Sequence, residues 1–148
     1  MRYLGLDVGD RWVGVALSDP TGWLASPLTT FRRTDGAQDL AHISRLLAEH
    51  EVERIVVGLP KNMNGTLGEQ ARLTMEFARQ LEVLGTPVTL WDERLSSVSA
   101  ERNVLDSRGH GPRRGERLDA HAAAIILQVY LDSSPAQRDQ GHWPADAL

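Results

Sequence analysis

Apolar positions fall along the chain in two rhythms. Arg2 to Gly9 is a short, nearly continuous apolar run that ends in a glycine turn, and Trp12 to Leu17 follows as a second such run; together they predict a β-hairpin. Ser18-Asp19-Pro20-Thr21-Gly22 is turn chemistry. Trp23 to Phe31 then supplies a third strand, which Pro27 assigns to a sheet edge or a break. From Ala37 to His50 the rhythm becomes helical, with Leu40, Ile43 and Leu47 on one stripe, before Arg54 to Leu59 returns to an unbroken apolar strand of the kind buried in a parallel sheet. Thr66-Leu67-Gly68-Glu69 has the form of a capping box, and Ala71, Met75, Ala78 and Leu81 continue as a helix stopped by Gly85 and Pro87. Val88 to Trp91 reads as a fifth strand and Ser97 to Asp106 as a short helix. Asp119 to Leu131 reads as a longer helix with Ala122, Ala123, Ile126, Leu127 and Tyr130 on one face.

A meander followed by strands alternating with helices predicts an α/β domain whose mixed five-stranded sheet carries helices on both faces. At 148 residues the chain suits one domain. The expected boundaries are 1–132 for that domain and 133–148 for a polar, proline-punctuated flexible tail. No apolar stretch approaches the roughly 20 residues of a membrane span. Asp7 and Asp10 interrupt the N-terminal run before a secretory core of about 7 to 15 residues can form, so a cytoplasmic protein is expected. Without cysteine there is no thiolate ligand or nucleophile, and any metal falls to oxygen or imidazole.

A net charge of −4 argues against coating nucleic acid by bulk attraction. The local distribution differs: Arg108, Arg113, Arg114 and Arg117 crowd one Gly/Pro-containing stretch, suited either to a localised phosphate contact or to a solvated loop.

In open α/β sheets ligands sit beyond the carboxyl ends of the parallel strands. Asp7 interrupts an apolar strand there, a costly place for a charge unless it is solvated, paired or bound to metal; capping the Gly9 turn would also explain it. Asp92-Glu93 closes the last strand, and one of the two acids can face the same crevice, although acids before a helix are also favoured by its dipole. Asp119 continues the core-facing stripe of the last helix, where an N-cap is the plainer alternative. Gathered together without a cation, three carboxylates would repel one another. Oxygen-only ligation suits Mg²⁺ or Mn²⁺, and two such ions with substrate bound can drive an in-line phosphodiester displacement.

Four ordered motifs carry a resemblance. Leu4-Gly5-Leu6-Asp7-Val8-Gly9 with Arg11 and Val13 to Asp19, then Val56-Val57-Gly58-Leu59-Pro60 with Asn62-Met63-Asn64-Gly65, then Asp92-Glu93-Arg94-Leu95-Ser96-Ser97, and finally Asp119 to Leu127, resemble in order the motifs of the YqgF/RuvX family of RNase H-like proteins. The resemblance implies an RNase H-like three-layer α/β/α fold with Asp7, Glu93 and Asp119 as catalytic metal ligands, and it is what selects Glu93 over Asp92. It further implies a nuclease maturing the 5′ end of 16S ribosomal RNA, with kinship to Holliday-junction resolvases. Ser96-Ser97, where threonines are common, and the lysine-free approach to Asp119 are departures that bear on substrate.

Arg11, Lys61, Asn62, Arg94, Arg113, Arg114 and Arg117 are the candidate contacts to the nucleic-acid backbone. For Arg11 a surface role at the hairpin competes, and for Lys61 and Asn62 a plain turn. His121 lies off the stripe of Asp119 and is expected to face solvent. Three functions remain open: a nuclease for structured RNA, a resolvase for four-way DNA junctions that would act as a homodimer, and a non-catalytic nucleic-acid-binding ribosome-assembly factor.

Overall fold

The computed structural model describes residues 1–62, 64–93, 114–133 and 142–144, with the side chains of 114–119 and 142–144 excluded. β1 (Tyr3–Val8), β2 (Trp12–Ser18) and β3 (Ala25–Arg32) form the antiparallel meander. They are followed by α1 (Gly36–Glu49), β4 (Arg54–Leu59), α2 (Glu69–Leu81) with a 3₁₀ turn at Glu82–Leu84, and β5 (Val88–Asp92). α3 (Arg114–Asp132) and a three-residue β6 (His142–Pro144) complete the described chain. The strand order is β3-β2-β1-β4-β5-β6, with β1, β4 and β5 mutually parallel.

The mixed sheet has its five expected strands in the expected order, and a sixth where the sequence suggested only tail. β6 pairs antiparallel with β5 through Trp91–His142, Leu90–Trp143 and Thr89–Pro144. Three residues bounded by proline are too short to show a two-residue period, and an outer strand is where proline is tolerated. Pro27 likewise lies on an edge strand, β3, where the register with β2 slips between Val15 and Ala16. The helix expected over Ser97 to Asp106 lies outside the described residues.

Two helix starts differ from expectation. α2 begins after Gly68 with no side-chain cap. Thr66 is occupied in the preceding loop, its hydroxyl donating to Asn64 Oδ1 at 2.7 Å and accepting from Asn62 Nδ2 at 2.9 Å. α3 starts at Arg114, so Asp119 stands inside the helix and the N-cap alternative falls away. At α1 the cap is Asp35, which accepts from the Gln38 amide at 2.8 Å.

The sheet separates two apolar layers of different texture. Leu4, Leu6, Val8, Ile55, Val57, Leu59, Val88 and Leu90 point toward α1 and α2 and meet Ile43, Leu47, Phe77 and Leu81. The opposite layer is made of Ala16, Val56 and Trp91 against Ala122, Ala123, Ile126, Leu127 and Tyr130 of α3. The small residues let α3 come close. A β-carbon added to Gly5 would lie 2.8 Å from Leu127 Cβ and 3.1 Å from the Ala123 carbonyl oxygen, neither of which is the free end of a side chain. Gly5→Ala is therefore expected to lift α3 from the sheet and cost about 1–3 kcal/mol of unfolding free energy in urea titration; an unchanged midpoint would contradict this packing.

Candidate active site

Alternation along the strands decides which acids share a face. Gly5 of β1 meets α3, so Asp7, two residues on, points to the same side, while Leu4, Leu6 and Val8 take the other. On β4 the α3 side belongs to Val56 and Gly58. On β5, Trp91 is in the α3 layer and Leu90 is not, which sends Asp92 toward the α2 side. Glu93, just past the strand end, falls on the side of Asp7. Its carboxylate confirms this: a β-carbon on Gly58 would stand 2.9 Å from Glu93 Oε1 and 3.1 Å from Glu93 Cγ. The strand order thus supplies a geometric reason for preferring Glu93 to Asp92.

Since β4 lies between β1 and β5, Asp7 and Glu93 start from backbones two strand spacings apart, about 10 Å. The missing side chain at Gly58 leaves room for Glu93 to lie across β4 toward β1. In the hairpin, Asp7 stands opposite Gly14, which brings no side chain to cover it. Both acids are nonetheless deeply enclosed, Asp7 at 3% and Glu93 at 4% exposure.

α3 runs antiparallel to β1. Tyr130 packs edge-on against Tyr3 and Trp91, at centroid distances of 5.9 and 5.2 Å, and Ala123 and Leu127 cover Gly5. From Gly5 to Asp7 the strand advances about 7 Å, and from Ala123 back to Asp119 the helix covers about 6 Å. The Asp119 backbone therefore lies in the N-terminal half of α3, at about the level of Asp7. No group of three or more acidic or histidine side chains converges among the described residues, a set that excludes the Asp119 side chain.

The surroundings of the pair include both flanking loops. Arg11 is exposed in the β1–β2 turn. Lys61 and Asn62 follow β4, and their loop is joined to the end of β1 through α2, where Gln70 Nε2 donates to the Val8 carbonyl at 2.8 Å. Asn62 helps to close that loop: its amide group reaches Thr66 Oγ1, and its backbone N–H donates to the Thr66 carbonyl at 3.0 Å. Arg114 and Arg117 stand by backbone position in the first turn of α3, whereas Arg94 and Arg113 lie outside the described residues. His121 is exposed, as expected.

Sequence reasoning passed over Gln70, Arg33 and the buried Asp39. A signal existed for Gln70, which extends the buried stripe Thr74, Phe77 and Leu81 by one polar position, the same logic that singles out Asp119. Arg33 and Asp39 carried none, since each reads as an ordinary polar residue around a helix start.

With this geometry in place the comparisons become informative. A family model described as "RuvX: Holliday junction resolvase" matches residues 1–133. The chain belongs to the RuvX family. Curated relatives named "Putative pre-16S rRNA nuclease" include those of Moorella thermoacetica, 51% identical over 89% of this chain and 95% of the relative, and Syntrophomonas wolfei, 49% identical over 94% and 99%. Among solved structures, RuvC of Thermus thermophilus in complex with a Holliday junction substrate superposes with a TM-score of 0.58 at 18% identity, covering 88% of this chain and 94% of that one. A second structure of Thermus thermophilus RuvC gives 0.56 at 17% identity, over 97% and 99%. These likenesses establish the fold, and the RuvX match extends across every strand from β1 to β5 and α3.

The Glu93 carboxyl is pushed up from 4.5 to about 7, first by burial and then by the charge of Asp92. A folded-state value above the unfolded one means that this group favours folding below pH 4.5, and that the benefit is lost as pH rises through about 7, by about 3 kcal/mol at most. In metal-free buffer, Glu93→Gln should remove this part of the pH dependence, making the variant progressively more stable than the parent between pH 4.5 and 8 in urea titrations. A stability difference that does not change with pH would show that Glu93 is not a buried, destabilised acid.

Proposed function

We propose that this protein is a divalent-metal-dependent nuclease that hydrolyses phosphodiester bonds in structured RNA, with precursor 16S ribosomal RNA as its substrate. The observation that carries this reading is the pair of buried carboxylates, Asp7 and Glu93, on one sheet face with side-chain-free Gly58 between their strands. Burying carboxylates is unfavourable by desolvation, the first cause of the raised Glu93 value, and a cation relieves it. The donor set fits a hard ion, since it is carboxylate oxygen throughout in a chain without cysteine.

Asp7 and Glu93 would hold the metal with Asp119, whose backbone lies in the N-terminal half of α3 at about the level of Asp7. Mg²⁺ or Mn²⁺, as two ions with substrate in place, supplies activation of the attacking water and stabilisation of the leaving oxygen. The chain's own part is to fix Asp7 within β1, Glu93 at the end of β5 and Asp119 within α3, and to enclose Asp7 and Glu93 beside the alanine-rich layer under α3. Arg11, Lys61 and Asn62, on the turns beside the acids, would meet the phosphate backbone, joined by Arg94, Arg113, Arg114 and Arg117. The names of the curated relatives supply the ribosomal substrate.

The description of the family model favours a second reading, in which the same site cuts four-way DNA junctions. Symmetric cutting of such a junction requires two sites and hence a homodimer.

One comparison separates these readings. Parent and Asp7→Asn proteins are incubated with a precursor 16S transcript and with a four-way junction, in Mg²⁺ or Mn²⁺, and their melting temperatures are followed as Mn²⁺ is titrated. The parent is expected to trim the transcript and Asp7→Asn to do so more than about 100-fold more slowly, a loss beyond that of an outer partner of the site. Mn²⁺ should raise the melting temperature of the parent by ligand linkage and that of the variant less. Cutting of the junction alone, by a dimer, would transfer the assignment to the second reading. Cleavage of neither substrate by the parent would leave a nucleic-acid-binding assembly factor.

A further inference from the structure

The turn that follows Asp7 is held from two sides by side chains that lie outside the carboxylate set. The parallel pairing of β1 with β4 runs from Tyr3–Arg54 to Leu6–Val57, whereas the antiparallel pairing with β2 continues to Val8–Val13. Val8 and Gly9 therefore extend beyond the parallel ladder. From the α2 side, Gln70 Nε2 donates to the Val8 carbonyl at 2.8 Å. From the β3 side, Arg33 Nη1 donates to the Gly9 carbonyl at 3.2 Å, and the Arg33 amide donates to the Arg11 carbonyl at 2.7 Å. The turn closes on itself through Gly9 N–H to the Trp12 carbonyl at 2.8 Å.

Arg33 is itself held in place. Its guanidinium lies 5.2 Å from the centroid of the buried Phe77 ring, and its Nε is 3.8 Å from Asp39 Oδ2. Asp39 is 2% exposed in the first turn of α1, and its other oxygen accepts from the Thr34 amide at 3.0 Å. A guanidinium that stacks on an aromatic ring and faces a buried carboxylate has little rotational freedom left. Phe77 and Gln70 belong to the same face of α2, two turns apart, so one helix supports both sides of the clamp.

We propose that Gln70 and Arg33 are positioning residues that clamp the β1–β2 turn so that Asp7 is presented in a fixed orientation for metal binding. The clamp rests on the metal-site reading given above. It makes the loop before α2 and the turn after β1 one mechanical unit, because Gln70 lies in the first turn of the helix that this loop leads into.

Gln70→Met and Arg33→Met test the clamp separately; methionine matches glutamine in length and is two bonds shorter than arginine, and each variant loses the donor. In metal-free protein, amide hydrogen exchange at Gly9, Asp10 and Arg11 should accelerate by up to about tenfold, the worth of one hydrogen bond, while Leu4 and Leu6 keep their parent rates. By calorimetric titration at a temperature where each variant is folded, Mn²⁺ should bind about 10–100-fold more weakly than to the parent. Arg33→Lys keeps the charge but not the planar fork, and should resemble Arg33→Met. Unchanged Mn²⁺ affinity in folded variants would overturn the proposal, whether or not exchange had accelerated, because the clamp would then be structural only. Failure of the parent itself to bind Mn²⁺ would instead overturn the metal-site reading and the clamp's purpose with it.

Discussion

The distance of closest approach between α3 and the sheet governs the rest of this architecture. Gly5 and Gly58 present bare backbone where Ala123, Leu127 and Ile126 arrive, and any β-carbon there would fall within 2.6–2.8 Å of a neighbouring atom. With a larger side chain at Gly5 the helix would ride higher, and its N-terminal half would leave the level of Asp7. Gly58 serves a second purpose, since the space above it is shared by Ile126 and the Glu93 carboxylate. Gly5 thus sets the height of the helix, and Gly58 the path by which an acid from the end of β5 reaches toward an acid on β1.

How much of this could be read from sequence depends on whether the cause is local. β1, β2, β4 and β5 were legible because strands buried on both faces write themselves as apolar runs, and α2 because its stripe repeats at helical spacing. The division into an antiparallel meander and later parallel strands followed from the pattern of strands and helices along the chain. β6 was not legible, because three residues hold no periodic signal and its pairing with β5 depends on contacts distant in sequence. The start of α2 was misread for a related reason: Thr66 has the right spacing for a cap, but Asn62 and Asn64 compete for its hydroxyl, and the loop wins.

The candidate site divides in the same way. Asp7 and Asp119 were visible as acids that interrupt apolar patterns. Glu93 could be told from Asp92 only through family resemblance, because period-two alternation needs a known strand end and a known face to count from. In the structure Gly5 and Trp91 provide that reference. The support behind Asp7 was the least legible part. Arg33, Asp39, Phe77 and Gln70 come from three separate elements, and nothing in their spacing shows that they converge on two carbonyl groups.

The two faces of the sheet divide the physical work between them. The α1/α2 layer is built from Leu, Ile, Val and Phe, the side chains whose burial contributes most to folding, about 1.5–3 kcal/mol apiece. The α3 layer is built largely from alanine around a few larger groups, so it contributes less per residue but lets backbones approach closely. Both enclosed acids, Asp7 and Glu93, lie on this second face, where desolvation raises the pKa of Glu93 and repulsion from Asp92 adds to it. That burden is tolerable because the opposite layer is bulky and mostly apolar, and because the strands between the layers belong to both. The buried acids of the α3 face are therefore sustained by packing on the opposite face, and the Gln70–Val8 hydrogen bond at the first turn of α2 is one point where the two meet.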